Sequence, residues 1–257
     1  MKRKRIPASK LVIPAGLIIV TVLASSFLLI NKSGRDDTPK AGIIDGLREF
    51  SGEAFINETI GIFEDAGYRV EVFNPDEVTV ELYRSLPSKG YDIIVMRVHC
   101  GPLNDVLADG TKIPRGTVFF TTEEYDLKTY RTLQEKNLLA IGDIRGEPEK
   151  YYFTIPPWFF ETEAPGYFDN STIILDSCYG FYSQAPLVMA DTLIRKGAKE
   201  FIGWNGEVQA EHTDRAVIEL LKGMLKQNLD TREAVEKVRN LIGPDPFYQS
   251  QLYIYPY

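Results

Sequence analysis

Two scarce residue types in this chain are suited to act as a nucleophile and its base. The 257-residue sequence contains two cysteines and two histidines. Cys178 comes just after the apolar run at residues 173–175, and His99 ends another apolar run that begins at Tyr91. A thiol that meets an imidazole can lose its proton to that base and attack a carbonyl carbon. The pattern therefore predicts a cysteine hydrolase with Cys178 as the nucleophile and His99 as the base.

The surrounding pattern alternates between strands and helices, which favours a parallel sheet covered on both faces. We predict strands at residues 41–47, 68–73, 91–98, 172–176, 200–204 and 252–255, and helices at residues 53–66, 77–86, 185–196, 213–227 and 231–242. The predicted fold is a three-layer α/β sandwich with a mostly parallel central sheet. Ligand sites in such sheets gather at the carboxyl ends of the strands, where Cys178 and His99 are expected.

Residues 102–170 interrupt this alternation. Strand patterns at 117–122 and 151–155 and the aromatic stretch Pro156-Pro157-Trp158-Phe159-Phe160 predict an inserted hairpin region. We expect the aromatic part, Tyr151 to Phe160, to cover the cleft or to form a dimer contact.

Cys100 and His212 are the other candidates of the same types. Cys100 follows His99 and points to the opposite face of a strand, so we expect packing, with a redox pairing to Cys178 as the alternative. His212 begins an amphipathic helix, where capping and solvation explain it, and it is the weaker alternative base.

Glycine and aspartate residues near the same strand ends are candidates for binding the substrate. Gly101 can direct a backbone N–H at a developing oxyanion. Asp45 ends the first strand and Asp176 lies two residues before Cys178, so the two carboxylates are expected to line a pocket that attracts a cationic side chain. Turn formation explains the same residues equally well.

Composition excludes several functional classes. With 29 Lys and Arg residues against 36 Asp and Glu, the chain has no basic excess for binding nucleic acid. Two Cys and two His residues argue against a thiolate or histidine metal centre, and we expect no metal or cofactor.

The N-terminus predicts a membrane anchor. Residues 1–10 are basic, residues 11–30 form an uncharged apolar stretch, and residues 31–40 form a polar linker. Twenty residues in a helix match the bilayer core, and the basic end stays cytoplasmic, so residues 41–257 are expected outside the cell membrane. A cleavable signal peptide with small residues at Ala24-Ser25-Ser26 is the alternative.

The order of these features resembles the caspase-like fold of clan CD cysteine peptidases, which includes metacaspases, gingipains and CHAT-domain proteases. The resemblance is carried by His99 after the third strand, by Asp176-Ser177-Cys178, and by residues 190–204, and it spans roughly residues 41–242. It implies that His99 is the general base, that Cys178 is the nucleophile, and that Asp176 helps to form a pocket for Arg or Lys. This chain departs from the family in having Cys100 between His99 and Gly101, where a glycine usually follows the histidine at once.

The sequence is consistent with three functional hypotheses. The first is a membrane-anchored caspase-like peptidase that cleaves peptide bonds, with a preference for basic residues. The second is a catalytically silent, membrane-tethered binding domain with the same fold. The third is a cysteine-dependent ester or thioester hydrolase.

Overall fold

The computed structural model describes residues 38–47, 50, 52–182 and 188–256. The predicted anchor at residues 11–30 lies outside these residues. No helix within the described part of the chain is long and apolar enough to cross a membrane.

The central sheet has six strands in the order β2-β1-β3-β8-β9-β10. Its strands are β1 (Lys40–Asp45), β2 (Arg69–Phe73), β3 (Ile93–Arg97), β8 (Thr172–Asp176), β9 (Glu200–Trp204) and β10 (Leu252–Tyr255). Neighbouring strands pair in parallel except for β10, which runs antiparallel to β9. β3, β8 and β9 are buried throughout, as expected for strands with helices on both faces.

Helices lie on both faces of this sheet. The helices are α1 (Glu53–Asp65), α2 (Val80–Ser85), α3 (Arg131–Glu135), α4 (Pro157–Thr162), α5 (Val188–Arg195), α6 (Ala210–Leu221) and α7 (Thr231–Leu241). The apolar sides of α1, α6 and α7 pack on one face of the sheet, and those of α2, α4 and α5 pack on the other. The mixed α/β fold with a mostly parallel sheet is therefore confirmed.

Local sequence explains where several of these helices begin and end. Asp230 accepts a hydrogen bond from the Glu233 backbone N–H, and the Glu233 side chain accepts one from the Asp230 N–H, so α7 begins with a capping box. After α1, Gly67 has a φ of 82°, a left-handed conformation that glycine adopts without strain.

The predicted inserted hairpin is in fact a second sheet. It contains β4 (Cys100–Val106), β5 (Lys112–Glu124), β6 (Ala140–Gly142) and β7 (Tyr152–Ile155) in the order β4-β5-β7-β6, with all pairs antiparallel. Much of β4 is polar and partly exposed, so it lacks the apolar signal by which strands are recognised.

The predicted role of the aromatic insert is corrected by its burial. Phe153, Phe159 and Phe160 are at most 1% exposed and pack in the core between the two sheets and α2. Tyr151, which is 54% exposed, is available to solvent. Most of the insert's aromatic surface therefore stabilises the fold and is not free to cover a cleft or bind a second copy.

We expect Gly142 in β6 to be required by the close packing of the second sheet. A Cβ at this position would lie 2.6 Å from Phe120 Cε1 and 2.9 Å from Thr154 Cγ2. Gly142→Ala should lower the free energy of unfolding by about 1–3 kcal/mol because a rigid ring and a strand must move. Gly61→Ala in α1, where a Cβ meets nothing within 4 Å, should instead raise it by about 0.5–1 kcal/mol. Chemical denaturation of both variants checks the pair, and equal effects would contradict the packing argument.

Candidate functional site

The two candidate catalytic residues follow neighbouring strands at the same edge of the central sheet. β3 and β8 pair in parallel, and Arg97 lies opposite Asp176 at the end of both. His99 comes two residues after Arg97, and Cys178 comes two residues after Asp176. The register therefore brings both residues to the carboxyl edge of adjacent strands, as the sequence predicted.

The Cys178 side chain is held by the loop that follows β9. Its Sγ donates a hydrogen bond to the Val208 carbonyl oxygen at 3.5 Å and accepts one from the Val208 N–H at 3.4 Å. Among the described residues, both of its hydrogen bonds are thus to Val208. Burial raises the pKa of the Cys178 thiol, and the charges of Glu207 and Asp245 raise it further. The thiol is therefore protonated at neutral pH in this conformation.

The turn after Cys178 is held by two separate parts of the chain, the loop after β9 and strand β5. Tyr179 has a left-handed φ of 56°, and its N–H donates to Gly206 O at 2.9 Å. Its carbonyl oxygen accepts from Thr117 Oγ1 at 2.7 Å, and its hydroxyl donates to Glu207 at 2.7 Å. A non-glycine residue in this conformation is uncommon and persists where its surroundings hold it.

His99 is half-buried against the second sheet. Its ring meets Phe120 edge-to-face with centroids 6.2 Å apart, and its carbonyl oxygen accepts from the Phe120 N–H at 3.0 Å. The ring lines a small pocket together with Glu147, Tyr152 and other residues of the insert. The insert therefore positions the candidate base, whereas Val208 positions the candidate nucleophile.

Gly101, the predicted oxyanion donor, lies inside β4 opposite Val118. The Phe120 N–H donates to His99 O two residue pairs earlier in the same ladder. Hydrogen-bonded pairs alternate in an antiparallel ladder, so this register directs the Gly101 N–H along the ladder towards Val118. In this conformation the Gly101 N–H, the predicted oxyanion donor, belongs to the hydrogen-bond ladder of the second sheet.

Asp45, a predicted substrate-binding residue, is ion-paired with a residue of this chain. The Arg97 side chain is 1% exposed and donates from Nη1 to Asp45 Oδ1 at 2.9 Å. The same guanidinium donates from Nε to Asp214 Oδ1 at 2.9 Å and from Nη2 to Asp214 Oδ2 at 3.4 Å. The cation that these carboxylates attract is therefore Arg97 itself.

Asp176 is completely buried next to this ion pair, so the present conformation offers no carboxylate surface to a substrate. The Thr213 hydroxyl and the Asp214 carboxyl lie near its oxygens, but neither oxygen has a partner with the geometry of a hydrogen bond among the described residues. Burial raises the pKa of Asp176 well above its ordinary value, and the negative charge of Asp214 adds to the rise. Arg97 and the Thr213 hydroxyl act in the opposite direction and are outweighed. Asp176 is thus a buried acid that holds its proton beside Asp214.

The other cysteine and histidine, Cys100 and His212, are both packed against neighbouring side chains. Cys100 is buried and packs in the core, as predicted, and both cysteines are free thiols. His212 is 9% exposed, so the expected solvation is wrong. Its ring lies 5.3 Å from Trp204 and its Nε2 lies 3.3 Å from Gly243 O.

Sequence reasoning missed Arg97 and Asp214. Arg97 interrupts the buried apolar run of β3, and a charge at such a position requires an acidic partner, so a signal was present. Asp214 lies 117 residues away on α6, and its sequence context resembles that of an ordinary exposed helix residue. Among the described residues, no group of three or more His, Cys, Asp or Glu side chains is arranged to hold a metal ion.

A comparison of the chain with protein-family models found no match, and a search of the curated proteins found no similar sequence.

The raised pKa of Asp176 predicts how stability varies with pH. Above its ordinary pKa of 3.8 the carboxyl ionises in the unfolded chain while the folded chain keeps its proton. The free energy of unfolding should therefore fall as pH rises from 3.8 to the folded pKa. Asp176→Asn removes this dependence and should stabilise the protein by about 1–3 kcal/mol at pH 8 relative to the wild type.

Denaturation of both proteins from pH 4 to pH 9 checks this expectation. The exposed Asp143→Asn variant is the matched control and should follow the wild type at every pH. A constant difference between Asp176→Asn and the wild type across the range would show that Asp176 has no raised pKa.

Proposed function

We propose that the chain is a membrane-anchored cysteine peptidase of caspase-like fold, with Cys178 as nucleophile and His99 as general base. The observation that supports the proposal is the parallel pairing of β3 with β8, because His99 and Cys178 each follow the last residue of one of these strands by two positions. The sheet order β2-β1-β3-β8-β9 has its topological switch beside this pair, where open α/β sheets place ligand sites. The anchor at residues 11–30 and the position outside the membrane rest on sequence alone.

The protonation state of the Cys178 thiol determines how the first step of the mechanism proceeds. Because burial raises the pKa of Cys178, the resting enzyme holds a neutral thiol rather than a preformed thiolate. His99 then takes the Sγ proton as the sulfur attacks the peptide carbonyl, and gives the same proton to the departing amine. Water hydrolyses the resulting acyl-enzyme and restores the thiol.

This mechanism requires one movement from the described conformation. The Cys178 thiol must leave its hydrogen bonds to Val208 to reach a substrate and His99. Such closing movements are common, since catalytic hydrogen bonds are often formed only in the substrate complex. The predicted preference for basic residues has no support from Asp45 and Asp176, because Asp45 is paired with Arg97 and Asp176 is completely buried.

A silent binding domain of the same fold is the second candidate, and the thiol's surroundings favour it. Cys178 is held by backbone groups, and the nearby carboxylates of Glu207 and Asp245 oppose its ionisation. A reactive thiol is more often found in an electropositive environment.

Peptide cleavage by the full chain separates these candidates. Fluorogenic peptides with Arg, Lys, Asp or Asn before the cleavage point, and a thioester substrate, should be compared. Cys178→Ala should abolish cleavage, and His99→Ala should lower its rate by roughly 10²–10⁴-fold because the general base is lost. Cys100→Ala, which removes the other thiol, is the control and should retain activity.

Thiol alkylation gives a second readout on the same variants. We expect Cys178 to react faster than the buried Cys100 near neutral pH, and to lose this advantage in His99→Ala. Absence of cleavage together with equally slow alkylation of both thiols would exclude the peptidase and favour the binding domain.

A further inference from the structure

The guanidinium of Arg97 occupies a site built like a pocket for an arginine ligand. Asp214 binds it through two of its nitrogens, and Asp45 binds the third at 2.9 Å. The Phe55 ring lies 5.6 Å from the guanidinium carbon and covers one side of it. A fork-shaped contact with a carboxylate, a second carboxylate and an aromatic ring are the groups that proteins use to recognise guanidinium ions.

A third carboxyl group, that of Asp176, lies at the same strand ends and makes no hydrogen bond to the cation. Asp176 is 0% exposed, and neither of its oxygens has a hydrogen-bond partner among the described residues. Asp45 and Asp214 thus bind the guanidinium, and Asp176 is the carboxyl group that is left without a hydrogen bond. A buried carboxyl without a partner is costly, and its presence here indicates that the site is not satisfied by Arg97 alone.

This site lies directly below the candidate catalytic pair. Arg97 precedes His99 by two residues and Asp176 precedes Cys178 by two residues, which corresponds to roughly 7 Å along an extended strand.

An open groove also reaches the site from the helix side. The groove has a volume of about 590 Å³ and is lined by residues of α1 and α6 that include Phe55 and Asp214. Both residues contact the Arg97 guanidinium as well. Asp45 and Asp214 are 13% and 19% exposed, so a small cation has a route to them.

At Gly52 the chain passes close over the guanidinium. A Cβ there would lie 2.6 Å from Arg97 Nη1 and 3.0 Å from Asp45 Oδ2. The site is thus shaped around a planar cation on this side also, and no larger group fits while Arg97 is present.

We propose that Asp45, Asp176 and Asp214 form a guanidinium-recognition site that Arg97 occupies from within the chain, and that Arg97 thereby excludes arginine and lysine side chains of a substrate. The first half of this proposal concerns cation binding and is independent of any enzymatic activity. The second half rests on the proposed peptidase function, for which Arg97 is a specificity-determining residue.

Replacement of the internal cation by an external one tests the first half. The Arg97→Ala full chain should melt at a lower temperature than the wild type, because buried carboxylates lose their partner. Methylguanidinium chloride should raise the melting temperature of Arg97→Ala, and methylammonium chloride at the same concentration should raise it much less. Neither salt should raise that of the wild type, whose site is filled.

Two variants control this comparison. In Arg97→Ala/Asp214→Asn the two-point contact is removed, so methylguanidinium should lose its advantage over methylammonium. Arg145→Ala removes an exposed arginine that pairs with Glu207, and it should respond to both salts as the wild type does. An equal response of Arg97→Ala to both salts, or no response, would overturn the proposal.

A further double variant is used if Arg97→Ala does not fold. Arg97→Ala/Asp176→Asn removes one surplus carboxyl, and its recovery from denaturant should be greater in methylguanidinium than in methylammonium. Equal recovery in the two salts, or none, would again count against a guanidinium site.

Peptide cleavage tests the second half separately. The wild type should cleave peptides with Arg or Lys before the cleavage point more slowly than other peptides, and Arg97→Ala should gain activity on Arg relative to the others. Preferential cleavage after Arg by the wild type would refute exclusion while the peptidase stands. If the wild type cleaves nothing, the peptidase and with it the exclusion fail, and the melting experiment still decides the cation site.

Discussion

The buried guanidinium of Arg97 is the constraint on which the carboxyl edge of the sheet depends. It joins β3 to Asp45 at the end of β1 and to Asp214 in α6, with Phe55 of α1 against its face. A buried guanidinium without carboxylate partners is strongly destabilising, so these elements can reach their positions only together. Open α/β sheets bind ligands at the carboxyl edge of the sheet. In this protein the same edge is where a charge is buried and needs its partners.

The sheet edge sets the positions of the candidate catalytic residues, and the segments that follow the strands supply their side chains. The pairing of β3 and β8 brings the chain to the same edge of the sheet just before His99 and Cys178, while Phe120 and Val208 contact their side chains. Because the thiol is neutral and turned to Val208, the described conformation corresponds to a resting state under the peptidase proposal. The same contacts are what a binding domain without catalysis would have.

The second sheet connects the core to the site. Its β4 begins at Cys100, directly after His99, and its β5 supplies Phe120 to the imidazole and Thr117 to the turn after Cys178. Phe119 of the same strand is fully buried against Tyr83 and Phe160. One strand thus carries neighbouring side chains to the core and to the candidate site, which makes their packing interdependent.

The sequence by itself determined the elements whose signals are local. Strands at residues 172–176, 200–204 and 252–255 were predicted with the bounds that the structure shows, because each is an apolar run with clear ends. The position of Cys178 and His99 at strand ends followed from the same runs. The tertiary structure alone decided the partners: Asp214 reaches Arg97 across 117 residues, and Val208 reaches Cys178 across 30. Such contacts depend on how strands and helices are arranged in space, and a pattern along the chain carries no record of that arrangement. For this reason Asp45 and Asp176 could be found from the sequence, but not Asp214 or the pairing of Arg97 with Asp45 and Asp214.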